Sequence, residues 1–317
     1  MKIGGLGERE VIREIMKFGK VSQKPDDCSI LDSGRNYLLL TTDSITPETH
    51  IPALASAKEA GEFFASINLS DIAAMGGIPK IFMASFNLEK NMEIEYIEDF
   101  VKGIFRVLER NNVEYSGGDT KESKGTVFTG FCLGVQKKRL TRKRSQIAPN
   151  QIVCVTGKLG RVGAAYGAYI NGVNLRENSK RILDISPKIR EGQIISENGG
   201  KFMMDISDGL FGSIWQMKND YGVGFRLSES DIRVDESVHN ISRITGISER
   251  ELAFNYGGDY ELLFTIKNDE FGKFSKKMEE EGIEVCYIGD TWNGDNMIFN
   301  GQNWEKINYR GWEHLTK

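Results

Sequence analysis

The chain has 317 residues, 39% of them hydrophobic and 27% charged, with a formal net charge of −4. This is the make-up of a water-soluble globular protein, long enough for two hydrophobic cores. The acidic balance argues against sequence-independent binding of nucleic acid, which needs a basic surface, and no run approaches the ~18 apolar residues of a membrane span.

The N-terminal MKIGGLGEREVIREIM lacks the unbroken apolar segment of a signal peptide. GEREVIREIMKFG spaces Val11, Ile12, Ile15 and Met16 as a short amphipathic helix. Asp26-Asp27 precede a strand, and NYLLLTTDSI reads as a strand that closes on Thr41-Thr42-Asp43, with His50 shortly after. ASAKEAGEFFASINLSDIAAMGG predicts a long helix stopped by Gly76-Gly77 and Pro79. KIFMASFNL is the next strand. EIEYIEDFVKGIFRVLERN then aligns Ile97, Val101, Ile104, Phe105 and Leu108 on one helical stripe. VEYSGGDT and TVFTGFCLGVQ add two strands.

A basic, turn-rich segment containing KKRLTRKR (137–144) follows and reads as a solvated loop. QIVCVTGKLG opens a second set of elements, with helices near 160–171, 187–198 and 208–219 and a further helix in NDEFGKFSKKMEEEG. Strands are expected at FMMDIS, GVGFRL, YELLFTI and EVCYIGDT. The expected architecture is α/β in two halves, 1–137 and 138–317. Cys28, Cys132, Cys154 and Cys286 show no close metal or redox spacing, and they read as core thiols of a reducing, cytoplasmic compartment.

The informative pattern is where the aspartates fall. Asp26-Asp27, Asp43, Asp119 and the pair Asp205 and Asp208 lie at the ends of apolar elements, and Asp71 lies within the long helix. Carboxylates are rarely buried without compensation, so this pattern suggests a shared cation. Mg²⁺ prefers such oxygen ligands and bridges carboxylates to a substrate phosphate; Thr41 and Thr42 could add oxygens. Gly117-Gly118 would let backbone N–H groups approach a phosphate, and Ser207-Asp208 stand at a helix start, where capping is the alternative reading. Neither a Walker A sequence nor G-x-G-x-x-G occurs, so any nucleotide would be held through metal-bridged carboxylates.

PDDCSIL, LTTDSI with His50, INLSDIAAMGGIP, SGGDT, VTGKLG, DISDGL and GGDYELLFT, in this order, resemble the ATP-dependent aminoimidazole-ribonucleotide synthetase superfamily over nearly the whole chain. That superfamily includes thiamine-monophosphate kinase, selenophosphate synthetase and a hydrogenase maturation factor. GEREVI, His50 and the C-terminal RGWEHL resemble the thiamine-monophosphate kinase family in particular. Cys28 inside the Asp-Asp motif does not match the glycine-rich loop that carries the reactive cysteine or selenocysteine of selenophosphate synthetases.

The resemblance implies a two-domain fold. Its N-terminal domain would bind ATP and metal and form a dimeric β-barrel by joining sheets, and its C-terminal domain would be α/β. It implies a cytoplasmic, homodimeric kinase that transfers a phosphoryl group directly from ATP to thiamine monophosphate. Several Mg²⁺ ions would be held by Asp27, Thr41, Thr42, Asp43, Asp71, Asp119, Asp205 and Asp208. Gly118, Asp119, Arg144 and Ser207 would contact ATP, with Arg142 a near-equal candidate for Arg144; His50, Gly258 and Trp312 would contact the substrate. Asp208 and Arg144 would be the catalytic residues.

Three positions depart from the family's habit: SQKP before Asp26, Ser213 in place of an aspartate, and Gly258 in place of a glutamate. Two other readings therefore stand beside the kinase: an enzyme of the same fold acting on another small phosphate, and a catalytically silent nucleotide-binding homologue.

Overall fold

The computed structural model describes residues 3, 7–19 and 25–308. Trp312 and the RGWEHL segment lie outside the described residues. Two sheets organise the rest. The first has the order β1-β2-β5-β3-β4, formed by β1 (Ser29–Ser33), β2 (Asn36–Ile45), β3 (Ile78–Leu88), β4 (Glu114–Glu122) and β5 (Val127–Lys137). Its pairs are antiparallel except β3 with β4, which run parallel because α4 (Ile94–Arg110) carries the chain back between them.

One face of this sheet is covered by α4 and α3 (Ala57–Ala74). Helix α3 starts on a capping box, in which the Ser56 hydroxyl accepts from Glu59 N and the Glu59 carboxylate accepts from Ser56 N. It runs against α4 at close range: a Cβ on Gly61 would collide with Phe100 O, and one on Gly103 with Lys58 O. Phe64, Phe82, Phe100 and Phe128 fill the layer beneath, and Phe100 and Phe128 stack at 4.1 Å between ring centroids.

The second sheet has the order β12-β11-β8-β10-β6-β9-β7. Its strands are β6 (Gln151–Thr156), β7 (Met203–Asp205), β8 (Gly224–Ser228), β9 (Leu262–Lys267), β10 (Val285–Trp292), β11 (Met297–Phe299) and β12 (Trp304–Lys306). Strand β6 is buried along its whole length, sending Val153 and Val155 into one core and Ile152 and Cys154 into another. Around it lie α5 (Arg161–Ile170), α6 (Leu175–Leu183), α7 (Ile189–Glu197), α8 (Leu210–Tyr221), α9 (Glu236–Thr245) and α10 (Phe271–Glu280). Two further helices precede these in the chain, α1 (Glu8–Met16) and the single-turn α2 (Pro47–His50). All four cysteines are buried thiols; Cys28 and Cys132 belong to the first core, Cys154 and Cys286 to the cores of the second sheet.

The two units share packing. Leu183 of α6 sits in the first unit's core, and Ala74 at the end of α3 sits in a core of the second. The segment 137–144 corrects the expectation of a solvated loop. Arg142 is buried and donates to the carbonyls of Leu140, Arg139, Ser196 and Gly200, so its fork fastens the connection to the end of α7. Helices α6 and α9 had no counterpart in the sequence reading. Asp43 and Asp119 lie within β2 and β4, not at their ends. Among the described residues no helix is long and apolar enough to cross a membrane.

Candidate active site

Alternation along β2 sends Thr41 and Asp43 toward α3 and turns Thr42 to the opposite face, where its hydroxyl donates to Gly130 O at 2.7 Å. On the inner side, the Thr41 hydroxyl donates to Asp71 Oδ2, and Asn68 Oδ1 accepts from Asp43 N at 3.0 Å. Ser70, beside Asp71 on α3, donates to Asp205 Oδ2 at 2.6 Å and so ties the helix to the end of β7. Asp27, two residues before β1, completes the group. One carboxylate oxygen each from Asp27, Asp71 and Asp205 lies within 4.8 Å of the other two.

Arg144 meets this cluster from the connection between the units. Its Nη2 donates to Asp27 Oδ1 at 2.5 Å and its Nε to Oδ2 at 3.4 Å, while its backbone N–H donates to the Asp26 carboxylate. The fork-on-carboxylate geometry separates Arg144, aimed at the carboxylates, from Arg142, which serves backbone carbonyls.

One guanidinium does not neutralise the group. Burial, then the charge of Asp27, pushes the Asp205 carboxyl up to about 7, against the pull of the Ser70 hydroxyl and Arg144. Burial lifts Asp71 well above the usual carboxylate range, with Asp43, Asp205 and Asp27 adding to it. Asp43 is raised to about 6 by burial, Glu8, Asp208 and Asp27; Asp26 is raised to about 7 by burial and Asp27. Carboxylates that oppose one another's ionisation in this way are a site for added positive charge. Three carboxylate oxygens with the Thr41 hydroxyl beside them form a hard donor set that fits Mg²⁺.

Asp208 follows on the turn from β7 into α8, and its Oδ2 lies 3.8 Å from the Arg9 guanidinium of α1. The turn is fastened by Gly258, whose N–H donates to Ser207 O at 2.7 Å and whose φ of +93° suits glycine. A Cβ on Gly258 would press on Val162. His50 ends α2, with Nδ1 2.6 Å from the Thr49 hydroxyl. Ser213 is buried in α8. Asp119 is not part of the three-carboxylate group; it is exposed on edge strand β4, 3.6 Å from Lys121 Nζ. Gly118 beside it is fixed by close approach to Ala84 O on β3.

Sequence reasoning missed Asn68, Ser70 and Tyr260. The first two are polar residues buried in an otherwise apolar helix, a signal visible in FFASINLSDIAAM. Tyr260 adopts a left-handed φ of +51°, an unusual backbone for an aromatic residue. Its hydroxyl is held protonated by burial and by Asp43, Asp205, Asp71 and Asp208. Nothing in its sequence neighbourhood marks that conformation.

Known proteins resemble this chain along nearly its whole length. The family models "AIR synthase related protein, N-terminal domain" and "AIR synthase related protein, C-terminal domain" match residues 25–136 and 148–300. The thiamine-monophosphate kinase of Pyrococcus abyssi is 30% identical over 98% of this chain and 96% of its own length. That of Pyrococcus horikoshii is 30% identical over 97% and 96%. Among solved structures, AaThiL complexed with AMPPCP and TMP superposes with a TM-score of 0.87 at 26% identity, covering 99% of both chains.

Proposed function

We propose, from the premise that this chain belongs to the thiamine-monophosphate kinase family, that it transfers the γ-phosphoryl group of ATP in line to the phosphate of thiamine monophosphate. Family membership makes it a kinase; the direct transfer and the use of several Mg²⁺ ions are our reading. The observation that carries it is the convergence of Asp27, Asp71 and Asp205 beside Arg144, at a seam to which both units contribute.

The chemistry required is modest. The acceptor is already an anionic phosphate oxygen, so no strong general base is needed, and alignment with charge neutralisation is the main task. Bound at the carboxylates, Mg²⁺ would supply the positive charge that lets two phosphates approach. In this reading Asp27, Asp43, Asp71, Asp119, Asp205 and Asp208 hold metal, with Thr41 contributing its hydroxyl. Thr42 can offer only its backbone carbonyl, because its side chain is turned away. Arg144 orients a phosphate through its planar donor fork. Gly118, Asp119 and Ser207 are assigned to ATP, and His50, Gly258 and Trp312 to thiamine monophosphate. Asp119, set on an edge strand, would need to be reached by the nucleotide itself.

We also read the molecule as a homodimer, with 1–137 as the ATP-, metal- and dimer-forming unit and 138–317 as the second. The support is the face of the first sheet opposite α3 and α4, which no helix among the described residues covers. There, Leu38, Val135 and Ile78 align across three strands, as do Leu40, Leu133 and Ile81, with Phe131 and Met83 in the next row. Apolar rows of this extent are ordinarily covered by another surface.

The test is incubation of the purified protein with ATP, Mg²⁺ and thiamine monophosphate, with thiamine diphosphate detected as its fluorescent thiochrome. Product that disappears on addition of EDTA is the expected result. Absence of product, with ATP still raising the melting temperature, would move the assignment to another small phosphate.

A further inference from the structure

Helix α1 buries none of its own residues, yet it reaches the carboxylate site at two points. The Arg9 guanidinium lies 3.8 Å from Asp208 Oδ2 and its central carbon sits 4.7 Å from the centroid of the Trp215 ring on α8. Glu8, its neighbour, is close enough to Asp43 to be the leading charge acting on it. Among the described residues of this N-terminal stretch, only Gly7, just ahead of the helix, is buried. Among the described residues, an ion pair and a cation–π contact at its first turn hold the helix while none of its own side chains enters a core, and such contacts rearrange at small cost.

The placement has a chemical consequence. A guanidinium at the rim of an acidic cluster compensates a carboxylate while the site lacks other cations. Once Asp208 has another cation beside it, the same donors lie next to whatever anion that cation has brought. The planar fork of arginine can hold a carboxylate oxygen and a phosphate oxygen together, which the point charge of lysine does less well. Trp215 provides a flat face along which the guanidinium can swing while remaining anchored.

We propose that Arg9 is a polyphosphate-binding residue of this enzyme: carried by a loosely docked α1, it turns from Asp208 toward the phosphates of the bound nucleotide while resting on Trp215. The proposal deepens the kinase reading and rests on it. It adds a contact from a helix that belongs to neither sheet, opposite in origin to Arg144, which comes from the connection between the units.

The experiment is titration of the full chain with Mg²⁺ and AMPPCP, followed by calorimetry and by tryptophan emission. It uses the wild-type protein and the Arg9→Ala, Arg9→Lys, Trp215→Phe and Asp208→Asn variants. Wild type should bind with an emission change that Trp215→Phe removes. Arg9→Ala should weaken binding about tenfold, as loss of one charge-assisted contact does, and abolish the emission change. Its affinity should also depend less steeply on NaCl than that of wild type. Arg9→Lys should recover only part of the loss, and the melting temperature of the unliganded Arg9 variants should match wild type. Binding by Arg9→Ala within twofold of wild type, with an unchanged salt slope, overturns the proposal and leaves Arg9 as a pin for α1. Failure of the wild-type protein itself to bind overturns the kinase reading and this inference with it. Loss of binding in Asp208→Asn alone, with Arg9→Ala intact, upholds the kinase reading and rejects Arg9.

Discussion

Asp205 joins two properties that pull in opposite directions. Its burial and its acidic neighbours make the ionised form costly in the cation-free protein, and in the proposed reading the same surroundings suit it to hold a divalent ion. Replacing it with asparagine should therefore separate stability from activity. Asp205→Asn should raise the melting temperature measured in EDTA while lowering kcat by about a hundredfold or more, because charge placed at the transferring phosphate is a dominant part of such catalysis. A fall in both quantities would mean that the carboxylate is a structural partner of Ser70. The pH dependence follows the same logic. Asp43 and Asp205 titrate at about 6 and about 7 in the fold against an ordinary value of 3.8, so between these values the folded chain holds more protons than the unfolded one. Stability in EDTA should then fall as pH rises from about 4 to about 7, and the increase in melting temperature given by Mg²⁺ should be larger at about pH 7.5 than at about pH 5.5. Scanning calorimetry across that range checks the sign. At this scale the sequence was informative about which residue types matter and silent about their directions. Thr41 and Thr42 are equivalent in composition, and only the alternation of β2 turns one inward and the other out.

Among the elements, α3 matters most to the site, because Asp71 binds into the cluster while Asn68 and Ser70 orient Asp43 and Asp205. Its position is set by glycines at the α3–α4 contact, where the backbones approach too closely for a methyl group. Gly103→Ala should force the helices apart and cost about 1–3 kcal/mol in urea unfolding, with a weakened response of the melting temperature to Mg²⁺. An unchanged Mg²⁺ response would show that the site does not depend on the seat of α3. The long periodic elements were legible: α3, α4 and β2 fall where the apolar spacing puts them. Helices α6 and α9 were not, because LRENSKRIL and ESVHNISRIT carry few apolar residues; α6 buries Leu183 alongside the polar Asn178 and Ser179, and α9 buries only Val238 and Ile241. Their faces are set by tertiary neighbours, which local periodicity cannot express. The 137–144 run misled for a related reason: a basic composition suggests solvent, and Arg142 finds backbone carbonyls instead.

For the molecule as a whole, the carboxylates come from before β1, from α3 and from β7, so both sheets must be in place before the cluster exists. The apolar face of the first sheet opposite α3 and α4 is the other large-scale feature. Leu133→Glu, which puts a charge in the middle of its central row, should convert the proposed dimer to a monomer in sedimentation velocity, weakening association by about a hundredfold or more. A protein that sediments as a monomer before the substitution would remove the joined-sheet reading. The buried thiols carry one last consequence. Cys28 and Cys132 lie in the core beside the acidic cluster, and Cys154 and Cys286 lie in the cores of the second sheet. Burial pushes the thiol of Cys28 well above its ordinary range and that of Cys132 up to about 12, so neither is a nucleophile while the fold is closed. The chain thus carries two native chemical clocks per unit, and pulsed alkylation read by peptide mass would time the opening of each half without adding a label.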